Sequence, residues 1–263
     1  MFSGAPLGQY YPGDSLLHRL DPRTKIGVVG ALVVVLFFLY RWPAFAILGA
    51  VLLAGLVVAG IPLSLLWRSL RSILVLILFT FVLQLFMTPG PVWWKLGPLT
   101  ATYAGLRMGL VTAGRLVLLI VATSLLTFTT SPIALTDGLE YLLRPLRRLG
   151  VPAHEIAMMM SIALRFIPTL LEEAEKIMKA QMARGADFQS GNLIRRARSM
   201  VPILVPLFVS AFRRADDLAM AMEARCYRGG EGRTRLRVLR LAPADLVVMC
   251  VSTVVVAVAV WLR

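Results

Sequence analysis

A chain of 263 residues that is 58% hydrophobic and carries a formal charge of +14 is too apolar for an ordinary soluble domain and too basic for a neutral membrane bundle. Its mean hydropathy of +0.78 leaves an integral membrane protein with one basic side. The two cysteines, Cys226 and Cys250, supply neither a disulfide framework nor the spacing of a metal site.

Residues 1–25, MFSGAPLGQYYPGDSLLHRLDPRTK, hold acids, aromatics and prolines and lack the apolar core of a secretory signal, so they are read as a retained cytoplasmic lead-in. Apolar runs at 26–40, 43–61, 72–88 and 103–128 come next, and a last one at 246–262, each near the length that crosses a bilayer. Only Arg41 and Trp42 separate the first two, which predicts a tight helical hairpin with an interfacial Trp. With Arg19, Arg23 and Lys25 inside, alternation puts Arg68 and Arg71 inside as well. It leaves the loop PGPVWWKLGPLT outside, with Lys95 as its one charge. The same alternation places 131–240 in the cytoplasm, and eighteen of the 28 Lys and Arg residues lie there.

That basic segment is too long for a passive loop. Ser131-Pro132 and Val151-Pro152 read as helix starts, with Pro in the first turn where its missing N–H costs little. Leu171, Ala174, Met178 and Met182 fall on one face of a helix and Glu172, Glu175, Lys176 and Lys179 on the other, an amphipathic helix that stops at Arg184-Gly185. Leu204, Phe208, Ala211, Ala215, Leu218 and Met222 form the seam of a second amphipathic helix, with Arg213, Arg214, Asp216 and Asp217 on other faces. Pro168, Pro202 and Pro206 are expected to bend or start helices.

Several chemistries have no residues to carry them. There is no G-x-x-x-x-G-K-[ST] loop for nucleotide phosphates, and His154-Glu155 fails as a zinc protease motif because Met158 stands where the second His would be. His18 and His154, the only histidines, are read as capping or solvated residues, and no cofactor is expected. From Ile26 to Thr136 there is no Asp or Glu, which counts against ion coupling by intramembrane carboxylates. Arg107 and Arg115 are the charges left in the fourth run, about 12 Å apart along a helix. Arg107 is free to snorkel, whereas Arg115 needs a carbonyl, a polar partner or water.

One pattern occurs twice. AQMARGADF and AMEARCYRGG each place Ala-Arg and a small residue where an amphipathic helix ends, with Arg184 and Arg225 forty-one residues apart. Such an arginine complements the helix dipole; it also presents a planar, permanently charged fork that fits carboxylates or carbonyls in a partner's groove. The stretches PGDSLLHRLDPRTKI, TTSPIALTDGLEYLLRPLRRLGVPAHEIAMMMSIALRFIPTLLEEAEKIMKAQMARGADF and PLFVSAFRRADDLAMAMEARCYRGGEGRTR resemble the transmembrane coupling (T) component of energy-coupling factor (ECF) transporters, and within it the type shared by several vitamin-binding subunits. The similarity runs over nearly the whole chain and is densest over 129–235.

The resemblance implies a non-catalytic scaffold that joins two cytoplasmic ATP-binding-cassette (ABC) ATPases to a membrane-embedded substrate-binding (S) component. In that family each arginine motif ends a coupling helix and enters a groove of one ATPase. Ala183, Arg184 and Gly185 match the first motif, and Ala224 and Arg225 the second; Cys226 stands where Gly is usual. If that position needs a positive φ, Cys costs roughly 1 kcal/mol there. Met158, Met159, Met160, Met178 and Met182 make up adaptable faces for an S component or for ordinary helix packing.

The expected fold is all-α: about five transmembrane helices in the cell membrane plus a cytoplasmic subdomain of amphipathic coupling helices. Its domains are 1–25, 26–130 (four spans), 131–240 (coupling) and 241–263 (the last span). Within the family the second reading is a dedicated T component of a cobalt, nickel or biotin importer. Outside it, a self-sufficient secondary transporter is opposed by the acid-free spans, and an intramembrane enzyme by the lack of any catalytic constellation. A nucleic-acid binder would rest on Arg195, Arg196, Arg198 and the basic run Arg233 to Arg240, which a membrane surface explains better, so no nucleic-acid partner is expected.

Overall fold

A computed structural model describes residues 10–96, 99–186, 188, 193–229 and 241–261. The basic run Arg233 to Arg240 lies outside the described residues, as do the side chains of Arg195, Arg196 and Arg198. In order the elements are α1 (Leu16–Arg19), α2 (Pro22–Phe38), α3 (Trp42–Ala59), α4 (Leu63–Met87), β1 (Val92–Leu96), β2 (Leu99–Thr102), α5 (Tyr103–Thr129), α6 (Pro132–Leu143), a 3-10 segment Arg144–Leu149, α7 (Ala153–Ala183), α8 (Leu193–Ala224) and α9 (Pro243–Trp261). The described residues fall into two compact units, one built on 10–139 and 241–261, the other on 140–229.

Proline and short polar side chains begin these helices, as expected. Asp21 caps α2 by accepting from Arg23 N at 2.9 Å, and Pro22 opens it. Ser131 caps α6 by accepting from Ala134 N at 3.3 Å, with Pro132 as the first helical residue. α7 begins behind Pro152. Of the prolines expected to bend or start helices, Pro168 lies inside α7 and Pro202 and Pro206 inside α8, so none of the three starts one.

Helices α3, α4, α5, α7 and α9 are long and apolar enough to cross a membrane. Four of the five are spans read from the sequence. The fifth, α7, was expected as an amphipathic cytoplasmic helix; its best window has a mean hydropathy of 1.3, below the 2.0 to 2.3 of the others. The first expected span is α2, whose 17 residues reach about 26 Å. The segment expected as a loop outside the membrane folds into an antiparallel hairpin in which Val92 faces Thr102 and Leu96 faces Leu99.

In the first unit α5 is the central post, with α4, α2 and α3 against it and α9 against α2 and α3. The apolar core comprises buried side chains such as Leu36, Leu48, Leu52, Val121 and Phe128. Gly105 and Gly109, one helical turn apart, let α4 approach closely: a Cβ at Gly105 would lie 2.6 Å from the carbonyl oxygens of Gln84 and Leu85.

The intramembrane arginine finds the carbonyl it needs. Arg115 Nη2 donates to Leu39 O at 2.8 Å, the C-cap residue of α2, while its guanidinium lies 5.9 Å from the Phe37 ring centre and 5.7 Å from that of Tyr40. Arg107 is exposed. A second cation, Lys25, is buried and donates to Thr129 O at 2.9 Å and His18 O at 3.2 Å. Beside it Asp245, only 1% exposed, accepts from Asp21 N at 2.8 Å and Ala242 N at 2.7 Å, which ties the start of α9 to the start of α2.

Replacing Asp245 by Ala strands one buried backbone donor, Asp21 N, worth about 1–3 kcal/mol when unsatisfied, and removes the partner of the exposed Ala242 N. Asp245→Ala is therefore expected to lower the thermal midpoint of the detergent-solubilised chain markedly, with Asp245→Asn in between. Equal midpoints for wild type and Asp245→Ala would show that water replaces the carboxylate.

Candidate docking site

The second unit is built on α7 and α8, which pack against each other. Midway along the pair Glu173 holds two α8 side chains: Ser210 Oγ donates to Glu173 Oε1 and Arg214 Nη2 to Glu173 Oε2 at 2.9 Å. This corrects the predicted seam. Ala211, Ala215, Leu218 and Met222 do line the groove between the helices, a cavity of about 670 Å³ whose other wall includes Phe166 and Leu170. Leu204 and Phe208, however, are 47% and 60% exposed, whereas Ile203 is buried and Ser210 and Arg214 face Glu173. The inward face in the first half of α8 is thus one residue earlier in phase, and Arg214 belongs to it because Glu173 supplies the counter-charge.

The two Ala-Arg sites turn out to be one backbone motif used twice. At the end of α7, Ala186 N donates to Gln181 O at 3.0 Å and Gly185 N to Met182 O at 3.0 Å. At the end of α8, Tyr227 N donates to Met222 O at 3.0 Å and Cys226 N to Glu223 O at 2.8 Å. Both are Schellman endings, in which the residue after the C-cap turns left-handed so that the next N–H can reach back to the last turn. Arg184 and Arg225 are the two C-cap residues. Gly185 has φ 86° and Cys226 φ 55°; Cys226 is the one non-glycine with positive φ among the described residues. The condition attached to Cys226 in the sequence is therefore met, and the second motif carries the strain.

All six motif residues, Ala183, Arg184, Gly185, Ala224, Arg225 and Cys226, are exposed. Neither guanidinium has a hydrogen-bond or ion-pair partner among the described residues, and no hydrogen bond there joins the two arginines. The backbone already satisfies the carbonyls of Gln181, Met182, Met222 and Glu223, so the side chains are not needed to cap those. They stand instead as fixed positive charges at the negative end of a helix dipole, with small residues on either side.

Of the methionines singled out from the sequence, Met159, Met160 and Met182 are exposed, while Met158 and Met178 are half-buried. His154 is neither capping nor solvated: its ring bridges Glu140 and Tyr227, residues that periodicity did not single out. His18 is held locally by Ser15 Oγ at 2.7 Å and Tyr11 O at 3.0 Å. No group of three metal-ligating side chains occurs among the described residues.

A model of the CbiQ family, described as cobalt transport protein, matches residues 13–236, a stretch that contains both arginine motifs and the helices that carry them. The chain belongs to the CbiQ family. Among its CbiQ-family relatives, a protein of Thermosediminibacter oceani named energy-coupling factor transporter transmembrane protein EcfT is 61% identical over 240 residues, 91% of each chain. Proteins of the same name from Heliobacterium modesticaldum and Bacillus subtilis are 52% identical over 262 residues and 48% over 264, covering 98% or more of each chain. The resemblance to T components drawn from the motifs thus extends along the whole of this CbiQ-family chain.

The two turns predict opposite responses to substitution. Cys226→Gly relieves a left-handed Cβ and is expected to stabilise the second turn by about 1 kcal/mol, whereas Gly185→Ala introduces the same strain at the first and costs about as much. A Cβ at Gly185 meets no atom within 4 Å, so the loss there measures backbone strain alone. Thermal unfolding in detergent should shift up for the first variant and down for the second; shifts of the same sign would refute the shared geometry.

Proposed function

We propose that this chain is the transmembrane coupling subunit of an ECF-type ABC importer in the cell membrane, its N-terminus cytoplasmic. It passes ATP-driven movement of two cytoplasmic ATPases to a substrate-binding S component that takes up a vitamin or other micronutrient. The observation that carries this reading is the matched pair of exposed guanidiniums, unpartnered among the described residues, on Schellman-capped helix ends. A guanidinium fixed to a helix terminus offers two parallel N–H donors to carboxylates or carbonyls lining a groove. Closure of an ATPase dimer moves two such grooves relative to each other. Helices seated in both are displaced with them, and α7 and α8 carry the displacement to the lipid-embedded partner.

In this reading the chain performs no chemistry. Its arginines bind, its helices transmit, and hydrolysis belongs to the ATPases. Ala183, Gly185, Ala224 and Cys226 keep the rims of the arginines low so that a groove wall can close on them. Met159, Met160 and Met182, exposed and unbranched, supply an apolar surface that repacks against an S component. The names of the relatives favour ECF transporters, while the cobalt description of the family keeps a dedicated metal-ion T component as the second reading.

The test is ATPase capture and vitamin uptake in membranes co-expressing this chain, two candidate ATPases and one S component, with Arg184→Ala, Arg225→Ala and the double variant. Loss of a charge-assisted hydrogen bond costs about 1.5–3 kcal/mol, or roughly ten- to a hundredfold in affinity. Each single variant is expected to lower capture by that order and the double variant to abolish it, with chain abundance in the membrane unchanged. Capture and uptake at wild-type levels in the double variant would reduce the arginines to surface charges.

A further inference from the structure

The two arginine turns share a backbone geometry but differ in the residue just past the left-handed one. In the first, that position is Ala186, whose methyl group has no polar atom. In the second it is Tyr227, and its phenol reaches back to the beginning of α7: the oxygen lies 3.3 Å from His154 Nε2 and 2.9 Å from Met158 Sδ. His154 and Met158 are four residues apart and share one face of that helix. The other ring nitrogen of His154, Nδ1, lies 3.2 Å from Glu140 Oε1 in the last turn of α6, and Glu140 is only 7% exposed.

The carboxylate sets the direction of this chain of hydrogen bonds. A carboxylate at Glu140 accepts only, so Nδ1 of His154 donates to it; the phenol of Tyr227 has one proton, which it directs to Met158 Sδ and shares with the nearby Nε2. Tyr227 thereby sits two residues beyond Arg225 and is fastened twice, through its backbone N–H to Met222 and through its phenol to α7. The Arg225 turn is held from both sides. At the Arg184 turn the corresponding residue, Ala186, makes the same backbone bond to Gln181 and has no polar side chain to make a second one.

We infer that Tyr227, held by His154 and Met158, is a positioning residue for Arg225, which makes the second arginine a stiff arm of the docking joint. The inference rests on the docking reading above for its functional consequence, but the stiffness itself is a property of this chain alone. A stiff arm transmits displacement to α7 with little loss. Strain at Cys226 fits the same picture, since a turn with φ 55° at a non-glycine persists only where its surroundings hold it.

Two measurements test it. The first reads stiffness without any partner: a spin label on Cys226, with Cys250→Ser, in the full chain in nanodiscs. Tyr227→Phe should make that label more mobile, His154→Ala should do the same, and a label placed by Ala183→Cys in a Cys226→Ser, Cys250→Ser background should not respond to either change. Unchanged mobility at position 226 would overturn the positioning role whatever the arginines do. The second reads function as a double-mutant cycle in the co-expression assay. Tyr227→Phe should reduce ATPase capture several-fold in the wild-type and Arg184→Ala backgrounds, and add nothing in the Arg225→Ala background. A purely structural loss would be additive in both backgrounds and would contradict the inference. If the arginine variants themselves leave capture intact, the docking reading falls while the spin-label result still decides the positioning role.

Discussion

Helix carbonyls without partners are the constraint that governs where the cations of this chain stand. The last four carbonyls of an α-helix have no intrahelical donor, and a buried or lipid-facing end must find one. In the unit built on the spans, side chains answer: Arg115 donates to Leu39 at the end of α2, and Lys25 to Thr129 at the end of α5. Those cations are consumed by the fold. At the ends of α7 and α8 the backbone answers instead, through a left-handed residue and two reversed N–H bonds. There the neighbouring cations, Arg184 and Arg225, have no side-chain partner among the described residues and stand exposed toward a partner.

Capping and docking are therefore not competing explanations of the repeated Ala-Arg. The Schellman turn fixes where the guanidinium stands, and the small residues suit the same turn: glycine at 185 because the left-handed region admits it without strain, alanine before each arginine as the best helix former for a last position. Cys226 satisfies the geometry at a cost, and the fastening of Tyr227 to His154 and Met158 is what the structure sets against that cost.

Much of this was legible in the sequence, because the signals were local. Pro132 and Pro152 marked helix starts, Gly185 a stop, and the repeated Ala-Arg the two ends that matter. Four of the five apolar helices were read as spans for the same reason. Where the reading missed, the missing information was relational. Pro202-Ile-Leu-Val-Pro206 is apolar throughout, so no polar residue fixes the phase of α8, and Leu204 was chosen where Ile203 is the buried one. Arg214 looked like a surface charge until Glu173, forty-one residues earlier, was found beside it. His154 and Tyr227 are 73 residues apart, and only the fold brings them together. The Gly105-x-x-x-Gly109 spacing is itself a readable signal of close helix approach.

The central claim is that the ends of α7 and α8 sit inside ATPase grooves while the methionine surface does not. The most direct measurement is photo-crosslinking in membranes that hold the assembled, transporting complex, with a photoreactive side chain placed singly at Ala183, Ala224 or Met159. The account predicts ATPase adducts from the first two positions and an S-component adduct, without ATPase, from the third. A complex that transports yet gives no ATPase adduct from either arginine-flanking position would contradict it.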